Sequence, residues 1–111
     1  MNKKFKIPGK DIRQLIEPMG GCCATDKITV LGEKVDHMYR ETPSFKHDSG
    51  WRFLSGTETQ EYADDANNWA IYDVNTIANY DEAIIDYLDA PIGTELDRLK
   101  GTNIFIESMQ A

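Results

Sequence analysis

Apolar residues along the chain change period several times, and each change predicts an element. Ile12, Leu15 and Ile16 recur at i, i+3 and i+4, with Met19 extending the stripe, which predicts a short helix over Gly9 to Glu17 stopped by Pro18 and Gly20-Gly21. Cys22 to Val30 mixes small and β-branched residues, and Leu31 to Lys34 reads as a turn. Val35 to Arg40 then alternates, with Val35, His37 and Tyr39 on one side and Asp36, Met38 and Arg40 on the other. Together these segments predict a hairpin. Trp51 to Leu54 reads as the next strand, between Ser49-Gly50 and Ser55-Gly56, with Trp51 and Phe53 on one face and Arg52 and Leu54 on the other.

Glu58 to Asn68 is polar, with Tyr62 its one large aromatic before Trp69, and reads as a helical turn or a loop. Trp69 to Val74 predicts a strand, and Asn75 to Asn79 a turn-rich connection. Asp81 is placed to cap a helix running to Leu88 or Asp89, whose apolar face is Ile84, Ile85 and Leu88 and which Pro91 closes. Gly93 to Lys100 fits a strand or a helical turn, and Thr102 to Glu107 a last strand with Phe105 opposite Ile104 and Ile106. Strands in two runs with helices between them predict an α+β fold: a largely antiparallel sheet with two or three helices packed on it. At 111 residues the chain has the length of one domain, spanning 1–111.

Charge sharpens this picture. The formal net charge is −7, which disfavours nucleic acid or anionic lipid as a partner. Residues 53–97 hold no Lys or Arg at all and 11 acids, so this stretch cannot neutralise itself locally and predicts a negative field that steers a basic partner. No apolar run approaches the ~18 residues that span a bilayer, and the start MNKKFKIPGKD lacks a hydrophobic signal core, so a cytoplasmic location without membrane contact is expected.

Candidate chemistry is sparse. Cys22 and Cys23 are adjacent, which suits neither a disulfide framework nor a zinc site, and their small apolar neighbours predict buried, inert thiols. His37 and His47 form no metal-ligand pattern, and no glycine loop precedes a helix to cradle phosphate, so neither metal nor cofactor is expected. Glu61, Asp64 and Asp65 are the densest acid set, but Asn67 and Asn68 beside them predict solvation rather than the desolvated carboxyl that acid-base catalysis needs. Arg40 and Arg52, isolated on strands, suit pairing with Glu41 or Asp48, or a second binding surface.

Three stretches then stand out in order and spacing: Met38-Tyr39-Arg40-Glu41, Asp48-Ser49-Gly50-Trp51-Arg52-Phe53, and Tyr72-Asp73-Val74-Asn75-Thr76-Ile77-Ala78-Asn79-Tyr80. Over roughly Cys23 to Thr94 the chain resembles the immunity protein thirty-three family of bacterial polymorphic toxin systems. The resemblance implies an α+β fold, a cytoplasmic protein and neutralisation of a toxin domain, with no catalytic residues to carry over. Joined to the charge asymmetry, it predicts a non-enzymatic binder that occupies the basic active surface of a toxin domain. Glu58, Glu61, Asp64 and Asp65 are then the steering charges, Tyr62 an anchor between them, and the strand surface of Arg40 and Arg52 the alternative face. A small acidic regulatory or housekeeping module without a toxin partner is the competing reading. The oligomeric state is open.

Overall fold

A computed structural model describes residues 3–108. Six strands form one sheet: β1 (Gly21–Thr25), β2 (His37–Arg40), β3 (Asp48–Leu54), β4 (Trp69–Asp73), β5 (Glu95–Arg98) and β6 (Phe105–Glu107). Their spatial order is β4-β1-β3-β2-β5-β6. Every pairing is antiparallel except that of β1 with β3, so the α+β class with a largely antiparallel sheet holds. The segments around Cys23, Met38, Arg52, Ile71 and Phe105 all lie in it.

The helices are short: α1 (Asp26–Thr29), α2 (Gln60–Asp64) and α3 (Val74–Tyr80), with 3-10 turns at Gly9–Asp11, Ala66–Asn68 and Glu82–Tyr87. Ile28 of α1, Val74, Ile77 and Ala78 of α3, and Ile84 and Leu88 pack on one face of the sheet. They meet Cys22, Ala24, Met38, Trp51, Phe53, Leu96 and Phe105 there. Trp51 and Phe53 are fully buried with their rings stacked 6.0 Å apart, and the Trp51 indole N–H donates to the Leu88 carbonyl at 3.1 Å. That bond fixes the 82–87 turn over the sheet, because a buried indole N–H needs an acceptor. As the sequence predicts, Asp81 is the cap, its carboxylate accepting the Ala83 amide at 3.2 Å, but the element it caps is a 3-10 turn over Glu82–Tyr87 in place of the expected helix to Leu88 or Asp89. The same carboxylate accepts the Val35 amide and pairs with Arg98.

Three further expectations are corrected. The 22–40 hairpin does not form: β1 ends in α1, and β3 inserts between β1 and β2. Small and β-branched residues fit a central strand as well as a hairpin arm, and local pattern does not choose its neighbour. Asn75 to Asn79 is helical, not a turn, because Val74, Ile77 and Ala78 recur at helical spacing and are all fully buried.

The 9–17 helix reduces to the turn at Gly9–Asp11, and residues 12–20 beyond it are not helical. Asn75 and Asn79, one turn apart on α3, hold this strap by its backbone. Asn75 Oδ1 accepts the Leu15 amide at 2.7 Å and the Ile16 amide at 3.3 Å, and Asn79 Oδ1 accepts the Arg13 amide at 3.0 Å. Both side-chain amides also donate to the Arg13 carbonyl at 2.8 Å. Side-chain amides thus replace the hydrogen bonds that a helix would have made internally. Asn75→Ala is expected to cost about 1 to 2 kcal/mol and to open the strap near Arg13 to trypsin. Denaturant melts and timed proteolysis of the variant beside the parent check this.

Candidate binding face

The second face of the sheet carries the residues of opposite parity. One row crosses it as Ile71, Cys23, Arg52, Tyr39 and Glu95, and Leu54, His37, Asp97 and Ile106 follow in the next. Ile71 and Ile106, on the two edge strands, are exposed, at 61% and 45%. Two segments cover part of its central strands: Glu58 of the 55–69 segment bonds Thr25, and Phe45 of the 41–47 loop lies over Arg52.

The first segment is held from within. Glu58 accepts the Thr25 hydroxyl at 2.5 Å, the Ser55 amide at 2.8 Å and the Gly56 amide at 2.9 Å. Burial pushes the Glu58 carboxyl up, and these donors outweigh it, leaving it below its ordinary range. The carboxylate read as a steering charge therefore closes its own loop. Tyr62 is half-buried with the Lys27 ammonium 5.3 Å from its ring centre, and burial raises its hydroxyl. Glu61, Asp64 and Asp65 are exposed. Trp69 donates its indole N–H to the Ala63 carbonyl at 2.8 Å and so ties α2 to β4.

Under the other segment, Arg52 is 4% exposed and every guanidinium N–H has an acceptor. Nε meets Glu41 Oε2 at 2.6 Å, and the two terminal nitrogens meet Asp48 at 3.0 and 2.7 Å. The remaining donors meet the Trp51 carbonyl at 2.9 Å and Ser44 Oγ at 3.3 Å. Phe45 covers the group, 5.8 Å from ring centre to guanidinium carbon. The sequence offers Glu41 or Asp48 as a partner for either arginine, and Arg52 takes both. Arg40 is different. It lies on the helix side, 5.7 Å from the Trp51 ring, and donates to the Ser49, Leu88 and Ala90 carbonyls. The two arginines sit on opposite faces, as neighbours of Trp51 and Tyr39 must, and share no binding surface.

Between the two segments lies a depression of about 300 Å³ lined by Cys23, Tyr39, Glu41, Arg52, Ala63, Asp64, Ala66 and Trp69. It joins the end of the acidic segment to the Arg52 strand, two places that sequence reasoning kept apart. Tyr39, Cys23 and Trp69 were missed as members; the period-two alternation that puts Trp69 with Ile71 is the signal that could have found one wall. The rest of the acidic segment is divided, since Glu82, Asp86 and Asp89 flank the turn on the helix side.

Cys22 is fully buried and Cys23 half-buried, and burial first of all raises both thiols above the ordinary value, so neither is a thiolate nucleophile at neutral pH. Among the described residues no group of three His, Cys, Asp or Glu side chains is placed to hold a metal ion. No helix among them is long and apolar enough to cross a membrane.

Asp48 supplies a pH dependence. Its hydrogen bonds from Arg52 come first and, opposed by burial but helped by the Ser44 and Gly50 amides, lower the carboxyl from 3.8 to about 2. A lowered native value stabilises the fold above the unfolded value, and that stability is lost as pH falls from 3.8 through about 2. The expected loss is roughly 2 kcal/mol. Urea melts across this range check it, with a shallower dependence expected in Asp48→Asn.

A shallow, carboxylate-rimmed depression on a sheet face with exposed edge residues has the form of a contact surface for another macromolecule. The model of the Immunity protein Imm33 domain matches residues 22–109, and the chain belongs to that family. The match takes in β5 and β6, beyond the Cys23 to Thr94 stretch that carried the resemblance. Neither the comparison with curated proteins nor that with solved structures finds a match. Membership in an immunity-protein family implies toxin neutralisation through binding of a protein partner.

Proposed function

We propose that this chain, as one non-enzymatic domain, neutralises a toxin domain by covering a basic surface of it with this partly covered sheet face. The carrying observation is the placement of charge: Glu61, Asp64 and Asp65 are exposed on the 55–69 segment over that face, and Glu95 and Asp97 occupy its β5 rows. Apolar side chains, Ile71 and Ile106 among them, lie between and beyond these carboxylates. Carboxylates at a rim steer a basic partner, and apolar area within it supplies contact once the partner has docked. In this reading Glu58 and Tyr62 keep the 55–69 segment in shape, Arg52 keeps the 41–47 loop in shape, and Arg40 serves the helix side.

The first test is co-expression with the toxin domain encoded beside the gene, scored by growth rescue and by isolation of a complex. Asp64→Lys with Asp65→Lys is then expected to slow association by about tenfold at low salt and to flatten its salt dependence, because exposed rim charges act mainly on the on-rate. Both side chains are exposed, so the melting temperature should fall only by the loss of the Asp65 cap on the 66–68 turn, whose carboxylate accepts the Asn67 amide at 2.9 Å. Stopped-flow association at two salt concentrations decides the matter. An unchanged rate moves the recognition face away from this segment.

A further inference from the structure

We propose that the depression between α2 and Glu41 receives a cationic side chain, lysine or arginine, of the bound partner. This deepens the binding-face reading above and rests on it. Arg52 forms part of the floor and would suggest an anion site, but all five of its N–H groups already have acceptors. Reaching an incoming carboxylate or phosphate would require breaking one of them. Its charge is matched by Asp48, which is itself fully buried and bound through both oxygens.

What remains facing solvent is negative. Glu41 is half exposed and is held by Arg52 through Oε2, while Oε1 accepts no hydrogen bond among the described residues. Asp64, on the opposite wall, is exposed and receives only Gln60 on one oxygen. Cys23 adds no charge, because burial keeps its thiol protonated. Trp69 and Tyr39 contribute aromatic rings, which favour a nearby cation. Ala63, Ala66 and Cys23 provide apolar wall for a methylene stem. A volume of about 300 Å³ lies at the lower limit of small-molecule sites and suits one side chain. Arg52 is therefore a positioning residue: it sets Glu41 at the mouth.

The probe is a tetra-arginine peptide, with tetra-glutamate as control, titrated into the isotopically labelled full chain at fixed ionic strength. Shifts are expected to concentrate at the Trp69 indole N–H and the Ala63 and Ala66 amides. Glu41→Gln with Asp64→Asn should weaken binding by about tenfold, and Glu82→Gln with Asp86→Asn, exposed acids on the helix side, by no more than about twofold. Asp64→Asn alone sits on an exposed position and gives an intermediate loss, which keeps the test valid if the Glu41 variant folds poorly. Equal losses in the two double variants, or shifts spread over all carboxylates, overturn the inference in favour of diffuse attraction. Binding of tetra-glutamate overturns it in favour of an anion site. Toxin rescue is read separately. Rescue that survives Asp64→Lys with Asp65→Lys and keeps its association rate counts against the binding-face reading, whereas peptide shifts elsewhere with rescue impaired by those changes count against the cation pocket alone.

Discussion

Arg52→Met is expected to destabilise the protein by about 3 to 5 kcal/mol, among the largest losses that a single substitution can cause here. The methionine fills much of the space, so the loss is electrostatic. Asp48 has no side-chain exposure, and without the guanidinium it becomes an uncompensated buried carboxylate. Protonation relieves part of this, so Asp48 should titrate well above its native value of about 2, and the acid dependence of stability should shift with it. Replacing Asp48 as well does not rescue the fold in the way an isolated ion pair would allow. The same carboxylate accepts the Ser44 amide at 2.8 Å and the Gly50 amide at 2.8 Å, and both amides would be orphaned. Thermal melts of Arg52→Met are expected to fall by on the order of 10 °C or more. A melt within a few degrees of the parent would mean that the buried pair is not what holds the 41–48 loop to β3.

Gly50→Ala is expected to be comparably severe for a different reason. Gly50 has φ +92°, a left-handed conformation in which a Cβ is strained, and that Cβ would overlap the Glu41 carbonyl oxygen. The close approach is built into the pairing of β2 with β3, since the Glu41 amide donates to the Gly50 carbonyl at 2.9 Å. Gly93→Ala is the matched control: φ is +101°, with nothing within 4 Å of the added carbon. Conformational strain alone, about 1 to 3 kcal/mol, applies to Gly93, and the overlap adds to it at Gly50. Gly50→Ala should therefore lose more stability than Gly93→Ala in parallel urea melts. It should also displace Glu41, the carboxylate at the mouth of the depression, so tetra-arginine binding should weaken in whatever fraction folds.

Both substitutions fall in the DSGWRF stretch, and their effects explain why that stretch is so distinctive. Asp48, Gly50 and Arg52 are the parts of one device that fastens the 41–47 loop, and Trp51 and Phe53 are the core on the reverse of the same strand. The YDVNTIANY stretch has an analogous division. Val74, Ile77 and Ala78 bury against the sheet, while Asn75 and Asn79 hold the strap of residues 13–16.

The sequence by itself determined the α+β class, the strands at Trp51 to Leu54 and Trp69 to Asp73, the cap at Asp81, and the family. It also offered Glu41 or Asp48 as a partner for Arg40 or Arg52, and the structure pairs both carboxylates with Arg52 alone. These follow from short-range physics: alternation, capping chemistry, and opposite charges a few residues apart. Tertiary structure decided the rest. Whether β1 neighbours β2 or β3 depends on which faces fill the core together. The apolar stripe of Ile12, Leu15 and Ile16 fits a helix on its own, yet two asparagines about 60 residues away satisfy the backbone in a non-helical form instead. The acid-only run from 53 to 97 looked like one surface because charge was counted along the chain. The sheet sends Glu61, Asp64 and Asp65 to one side and Glu82, Asp86 and Asp89 to the other, and it buries Asp81 against Arg98. Arg40 and Arg52, twelve apart in sequence, are parted in the same way, because successive residues of paired strands point to opposite faces and register alone fixes which is which.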